Sequence, residues 1–365
     1  MATIERLARS IVRDSLRPKE YESVVISTYP HTIDLAEQVA IECQKLGADP
    51  AIFLDTDNVF YGQFKNYSLE NLRRVSAHCL GILEYANSYV WLNGPKDPGP
   101  MARVPKEKFA AMFAGEQAHY DKALQKRPKS VGVVMGMVTR ERARTYGFNY
   151  AKWRASIESA IAVNYSQLEA LGKTAAGLLS APGEVHIEAD NGTDLRFRLA
   201  GPDRRVEVND GVISDDDLAA GNVDANLPAG AVWTAPFEDS ADGTFVCDLP
   251  IPQMGRLIEG LAWRFEHGRV TEFTARKNVD LAKVAWDGAS GERDMFGSFS
   301  LGLNRKARPG FLNSAIVAGA VTVGIGDNRE LGGKNQSSYG FLGTLSKATV
   351  EIGGNTVIKK GKWAL

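Results

Sequence analysis

Apolar positions along the first third of the chain change period several times. Ile4, Leu7, Ala8, Ile11, Val12 and Leu16 recur at spacings of three and four, one face of an amphipathic helix. A short apolar run at 24–27 predicts a buried strand. Thr32 stands where it can cap a helix running to Leu46, and Gly47 stops that helix. Strand-like runs follow at 51–54, 89–92 and 131–134, with helical stretches between them and Ser68 placed to cap one of these. Strand alternating with helix predicts a parallel α/β sheet. A dinucleotide site in such a sheet would place G-x-G-x-x-G after the first strand. The chain has Ser27-Thr28-Tyr29-Pro30-His31-Thr32 there, which argues against nucleotide binding.

Residues 139–179 keep a helical pattern, and at Ala181-Pro182-Gly183 the period falls to two. The runs 185–187 and 195–199 flank Asn191-Gly192, and 206–208 and 212–213 flank Asp210-Gly211, so two hairpins are predicted. Alternation continues through 245–249, 261–265 and 270–275. Short helices are expected near 253–257 and 280–285. The expected organisation is an N-terminal α/β domain over 1–182 and a mostly antiparallel β domain over 183–365 that carries the cleft. Asp215-Asp216-Asp217 reads as a solvated helix start. The polar, glycine-flanked segment 334–342, KNQSSYGFL, lies between strand-like runs at 320–325 and 348–352, the setting of a functional loop. The glycines around it, Gly302, Gly319, Gly324, Gly326, Gly332, Gly333 and Gly340, read as bulges and turns of a bent sheet.

Composition narrows the classes. The 365 residues carry 43 basic and 44 acidic side chains, a net charge of −1, so nothing points to nucleic acid or a charged membrane surface. Cys43, Cys79 and Cys247 are odd in number and far apart, which predicts free thiols rather than a disulfide framework. The first residues lack the uninterrupted apolar core of a signal peptide, and no apolar run reaches the roughly 18 residues of a membrane span. A cytoplasmic protein is expected.

Several blocks carry a family resemblance. They are Gly192-Thr193-Asp194-Leu195 with Arg198 to Gly201, and Asn226-Leu227-Pro228-Ala229-Gly230. Thr234-Ala235-Pro236, Glu238-Asp239-Ser240, Gly243-Thr244 and the turn His267-Gly268-Arg269-Val270 follow. Together they resemble the thermophilic metallo-aminopeptidases, whose C-terminal N-x-S-x-x-H-x-D pattern is matched here only by Asn335 and Ser337. The resemblance implies an aminopeptidase-like fold, a homodimer, a site in an internal cavity and two metal ions held by Glu, Glu, His, His and Asp. At those positions this chain carries Ala231, Ser298, Thr322, Gly340 and Leu342, and a tyrosine thought to assist catalysis falls at Arg329. Carboxylate and imidazole offer the lone pairs a divalent ion needs, whereas these five side chains do not. All five histidines, His31, His78, His119, His186 and His267, lie outside the blocks concerned. No metal and no other cofactor is therefore expected. A relocated site on Glu238, Asp239, Asp294 or Asp327 is the alternative. The 2,5-dihydroxypyridine dioxygenases share the fold and use the same H-x-D region for iron, and its absence argues against that chemistry too.

Three kinds of chemistry remain open without a metal. Ser298, Thr322, Ser337 and Ser338 are candidate hydroxyl nucleophiles, Ser337 close to Lys334, with no G-x-S-x-G elbow. Asp294, Asp327, Glu330 and Tyr339 are candidates for proton transfer. Arg293, Arg329 and Lys334 are candidates for anion capture. The expected site has Asp294, Asp327, Tyr339, Ser298 and Ser337 as catalytic groups, with Arg329, Lys334, Asn335 and Glu238 binding substrate. The expected function is a metal-independent, hydrolase-like enzyme acting on a small amide- or carboxylate-bearing or peptide-like molecule. A non-catalytic binding or scaffold protein, and an ordinary metallo-aminopeptidase, are the alternatives.

Overall fold

The computed structural model describes residues 2–92 and 94–364. They form two compact units. The first comprises Met1–Glu158 and Gly211–Ala229, the second Ser159–Asp210 and Gly230–Leu365, so the division expected at 182/183 falls inside the second unit.

The first unit is the expected parallel α/β sheet. Its strands lie in the order Asp49–Leu54, Ser23–Thr28, Ser88–Trp91, Lys129–Val133, Asp224–Leu227, all parallel. Val24, Ile26, Val90 and Val131 are almost fully buried on one face, and Val25 and Tyr89 are buried on the other, as a parallel sheet covered on both faces requires. Gly47 takes φ +76° just after the helix Ile33–Gln44. Thr32 precedes that helix but does not cap it. Its hydroxyl instead pairs with Thr28 Oγ1 at 2.8 Å and accepts the Tyr29 N–H at 3.2 Å. Ser68 caps its helix as expected, accepting the Asn71 N–H at 3.1 Å, and Asp217 closes a capping box with Ser214. No helix among the described residues is long and apolar enough to cross a membrane.

The fifth parallel strand, Asp224–Leu227, lies in a stretch expected to be antiparallel. The hairpin expected at Asp210-Gly211 does not form. Val206–Asn209 pairs instead with Ala231–Thr234, and beyond Gly211 the chain enters the first unit, where the Ile213 N–H bonds the Ser15 carbonyl. The turn signal is there, but the second run is too short to compete with a strand partner 20 residues further on.

The second unit holds two sheets whose named pairings are all antiparallel. The larger has nine strands, among them Gly183–Ala189 and Thr193–Leu199, joined at Asn191-Gly192 as predicted, and Asp242–Val246, Arg256–Glu266 and Arg269–Lys277. Residues 253–257 are not helical. Ile251–Gln253 turns through Met254 and Gly255, both at positive φ, into Arg256–Glu266. The second sheet runs Gly340–Leu345, Val321–Gly326, Phe296–Gly302, Ala231–Thr234, Val206–Asn209. The last three residues of the expected loop 334–342 are thus the start of a strand. The two sheets meet through aromatic rings. Phe197 packs on Phe296 and Phe299 with centroids 4.9 and 5.0 Å apart, and Trp263 meets Phe341 edge-on at 6.4 Å. Phe299 is fully buried at the centre of this contact. Phe299→Ala is expected to cost about 3–5 kcal/mol in chemical denaturation; a loss below about 1 kcal/mol would contradict the packing described.

Candidate functional site

Side chains alternate across a strand, so pairing register decides which residues share a face. In the five-stranded sheet Ser298 stands opposite Gly324 and Gly324 opposite Leu342. Ser300 stands opposite Thr322 and Thr322 opposite Thr344. Gly326 faces Gly340, and Gly302 faces Ala231. These residues occupy one face. Phe299, Leu301, Val323 and Phe341 occupy the other and pack on the larger sheet. The five positions at which the resemblance implies metal ligands, Ala231, Ser298, Thr322, Gly340 and Leu342, therefore lie together on the face turned away from the aromatic core.

That face carries hydroxyls and small groups beside Leu342, and towards the sheet edge Trp233, opposite Ser300, with Glu207 and Asn209 on the next strand. Thr322 Oγ1 and Thr344 Oγ1 are 3.0 Å apart. Ser300 is completely buried, and its Oγ has no hydrogen-bond partner among the described residues. A Cβ on Gly324 would lie 2.2 Å from Ser298 Oγ and 2.8 Å from Leu342 Cδ2, so those two side chains close over its bare backbone. Ala231 is packed against Ala160, Ala307 and Ile316. Sequence reading missed Ser300 and Thr344. Their signal was the period of two, since they stand two residues from Ser298 and Leu342.

The other expected site residues are placed elsewhere, mostly in a tether for the loop before Gly340. Asn335 is buried and its Nδ2 donates to the Phe296 and Gly326 carbonyls, each at 3.0 Å, while its N–H bonds Asn328 Oδ1 at 2.8 Å. Both Glu238 carboxylate oxygens accept from one Arg204 guanidinium nitrogen, at 2.8 and 3.0 Å, and one of them also accepts from Asn328 Nδ2 and the Lys334 N–H, at 3.1 and 2.7 Å. Burial pushes the Glu238 pKa up. The Lys334 N–H, its own backbone, Asn328 and Arg204 together outweigh that and hold the carboxyl below its ordinary 4.5. Asp327 pairs with Arg329 Nε at 2.7 Å and accepts the Ser337 N–H at 3.1 Å. The Ser337 hydroxyl donates to the Ser290 carbonyl at 2.9 Å and accepts the Tyr339 N–H at 3.1 Å. Tyr339 stacks on Phe341 at 6.0 Å, and its hydroxyl donates to the Ala282 carbonyl at 3.0 Å. Burial, with Asp287 nearby, raises its pKa far above the ordinary value, so the phenol stays protonated. Asp294 is ion-paired with Arg269. Arg293 donates to the Trp286, Asp287 and Ala289 carbonyls. Of the nine expected residues, only Ser298 is on the hydroxyl face.

Glu238 and Lys334 also line an open cleft of about 540 Å³ with Arg198, Phe237, Asp239 and Met295. The Arg198 guanidinium lies over the Phe237 ring, 5.3 Å from its centroid.

With this geometry in hand, comparison with known proteins is decisive at the family level. The sequence profile of the thermophilic metalloproteases (M29) matches residues 1–308, most of the chain. The chain belongs to the M29 family. This M29 member is 31% identical over 99 residues to aminopeptidase AmpS of Bacillus subtilis, covering 27% of this chain and 23% of that protein. It is 37% identical over 68 residues to aminopeptidase T of Thermus aquaticus, covering 19% of this chain and 17% of that one. The matched stretches thus span only about a fifth of those relatives' lengths. In three dimensions it superposes on wild-type AmpT from Thermus thermophilus with a TM-score of 0.79 at 18% identity, covering 100% of this chain and 99% of that one. It also superposes on 2,5-dihydroxypyridine dioxygenase from Pseudomonas putida KT2440 with a TM-score of 0.60 at 16% identity, covering 100% and 97%. These likenesses confirm the expected fold. The profile match ends at 308, before Thr322, Gly340 and Leu342.

The M29 name implies a metal, and the side chains at the five positions where the resemblance implies ligands, Ala231, Ser298, Thr322, Gly340 and Leu342, do not fit one. Methyl, hydrogen and isobutyl side chains have no lone pair, and neutral hydroxyls are poor ligands for the divalent ions that carboxylate and imidazole hold. Among the described residues no group of three or more His, Cys, Asp or Glu side chains is placed to hold an ion elsewhere. Two tests follow from the tether. Asn335→Ala leaves the Phe296 and Gly326 carbonyls without their donor and is expected to cost about 1–3 kcal/mol, read as a lowered Tm; an unchanged Tm would contradict the bracing role. Because Glu238 titrates below 4.5 when folded, its contribution is complete above that value and is lost as pH falls through the lowered one. Wild type should therefore lose more stability than Glu238→Gln between about pH 6 and about pH 3.5, and parallel profiles would contradict it.

Proposed function

We propose that this M29 member keeps the aminopeptidase shell and takes a small amide- or carboxylate-bearing molecule at the hydroxyl face without a metal ion. One observation carries the reading: the five positions that share that face carry no side chain able to grip a cation, while hydroxyls of Ser298, Ser300, Thr322 and Thr344 remain there to donate to carbonyl oxygen and accept from amide N–H. The unpaired, buried Ser300 Oγ supports a ligand partner, since a buried hydroxyl left without one is costly.

Between catalysis and binding, the geometry favours binding. A hydroxyl nucleophile needs a base, and no histidine occurs after His267 in the chain. The groups best suited to proton transfer are engaged elsewhere, Asp327 with Arg329 and Tyr339 with the Ala282 carbonyl. The test is hydrolysis of leucine p-nitroanilide by purified protein supplied with cobalt or zinc and then with chelator. No release above the protein-free blank is expected in any condition. Cobalt- or zinc-stimulated release that the chelator abolishes would overturn the reading and restore an ordinary metallo-aminopeptidase.

A further inference from the structure

We infer that the cleft lined by Arg198, Phe237, Glu238, Asp239, Met295 and Lys334 is an anion site, and that it takes a carboxylate attached to an apolar body. The argument begins with charge. Four of the six lining residues are ionisable, but Glu238 is already committed: its carboxylate is neutralised by Arg204, one nitrogen of which bonds both oxygens, and by the donors from Asn328 and the Lys334 N–H. Arg198 and Lys334 are not committed. Neither side chain has an ion-pair or hydrogen-bond partner among the described residues, although carboxylates are close at hand. Main-chain hydrogen bonds hold both residues, whose side chains are exposed, at the cleft. The Lys334 N–H is anchored on Glu238 at 2.7 Å. The Arg198 N–H bonds Ser240 Oγ at 3.0 Å, and the Phe237 N–H bonds the Arg198 carbonyl at 3.0 Å.

Recognition would then use two chemistries at once. The guanidinium, held over the Phe237 ring, offers a planar fork to a carboxylate, and the Lys334 ammonium adds a second donor on a flexible stem. Phe237 and Met295 supply apolar surface for the body of the ligand, the usual division of labour in a small-molecule cleft. Asp239, exposed at the same cleft, disfavours a second negative charge there and leaves a ligand ammonium tolerated. The class is thus an aryl- or alkyl-carboxylate, with or without an amino group, and not a phosphate or a polyanion. The inference goes beyond the reading of the hydroxyl face and does not depend on it, because none of the six residues lies on that face.

The experiment is calorimetric titration of the purified full chain with 3-phenylpropionate, with phenethylamine as the cationic control and inorganic phosphate as the polyanionic one. Wild type should bind 3-phenylpropionate and neither control. Arg198→Gln with Lys334→Gln should weaken that binding by about tenfold or more, with an unchanged Tm because neither side chain braces the fold. Arg204→Lys, which disturbs the Glu238 partner but leaves both free cations, should retain most of the binding. Absence of 3-phenylpropionate binding to wild type, equal binding of either control, or full binding by the double variant would each overturn the inference.

Discussion

Strand register in the five-stranded sheet governs the chemistry of this protein. Opposite pairings of Ser298 with Gly324, Ser300 with Thr322, and Gly302 with Ala231 leave no choice of face. Slipping any strand by one residue would exchange Phe299, Val323 and Phe341 for hydroxyls against the larger sheet, at the expense of several buried aromatic contacts. The apolar core therefore fixes where the hydroxyl face lies. An inherited backbone can hold that position steady while its side chains change, because the residues that set the register point the other way.

The same separation explains why plausible reactive groups belong to the scaffold. Asn335 and Ser337 both spend their side-chain donors on main-chain carbonyls of neighbouring segments. Glu238, Arg204 and Asn328 tie the loop after Gly326 to the strand beginning at Phe296. A loop that crosses a sheet edge has many backbone groups to satisfy, and side chains with fixed amide or carboxylate geometry satisfy them. The hydrogen bonds of Asn335 and Ser337 thus serve the fold.

Much of the architecture was legible in sequence. The change from helical to period-two texture, the hairpin at Asn191-Gly192 and the parallel order of the first strands follow from local rules. Asp210-Gly211 misled because the partner of Val206–Asn209 is Ala231–Thr234, and turn chemistry does not report which strand competes for an edge. Residues 253–257 misled for a related reason: two positive-φ residues, Met254 and Gly255, turn the chain sharply within a short polar stretch. The site was legible only in part. That Ala231, Ser298, Thr322, Gly340 and Leu342 offer neither carboxylate nor imidazole is visible in the residues themselves. The commitments of Tyr339 and Glu238 are not, because their partners, Ala282 and Arg204, stand 57 and 34 residues away. The cations Arg198 and Lys334 stand out only once the partners of Glu238 are known.

The central claim concerns donors, so the direct test is stoichiometry. Purified protein would be dialysed to equilibrium against micromolar zinc and then cobalt, and bound metal per chain measured by inductively coupled plasma mass spectrometry. The account predicts no saturable uptake of either ion above that of an unrelated protein of similar charge. Saturation at one or two ions per chain would contradict it.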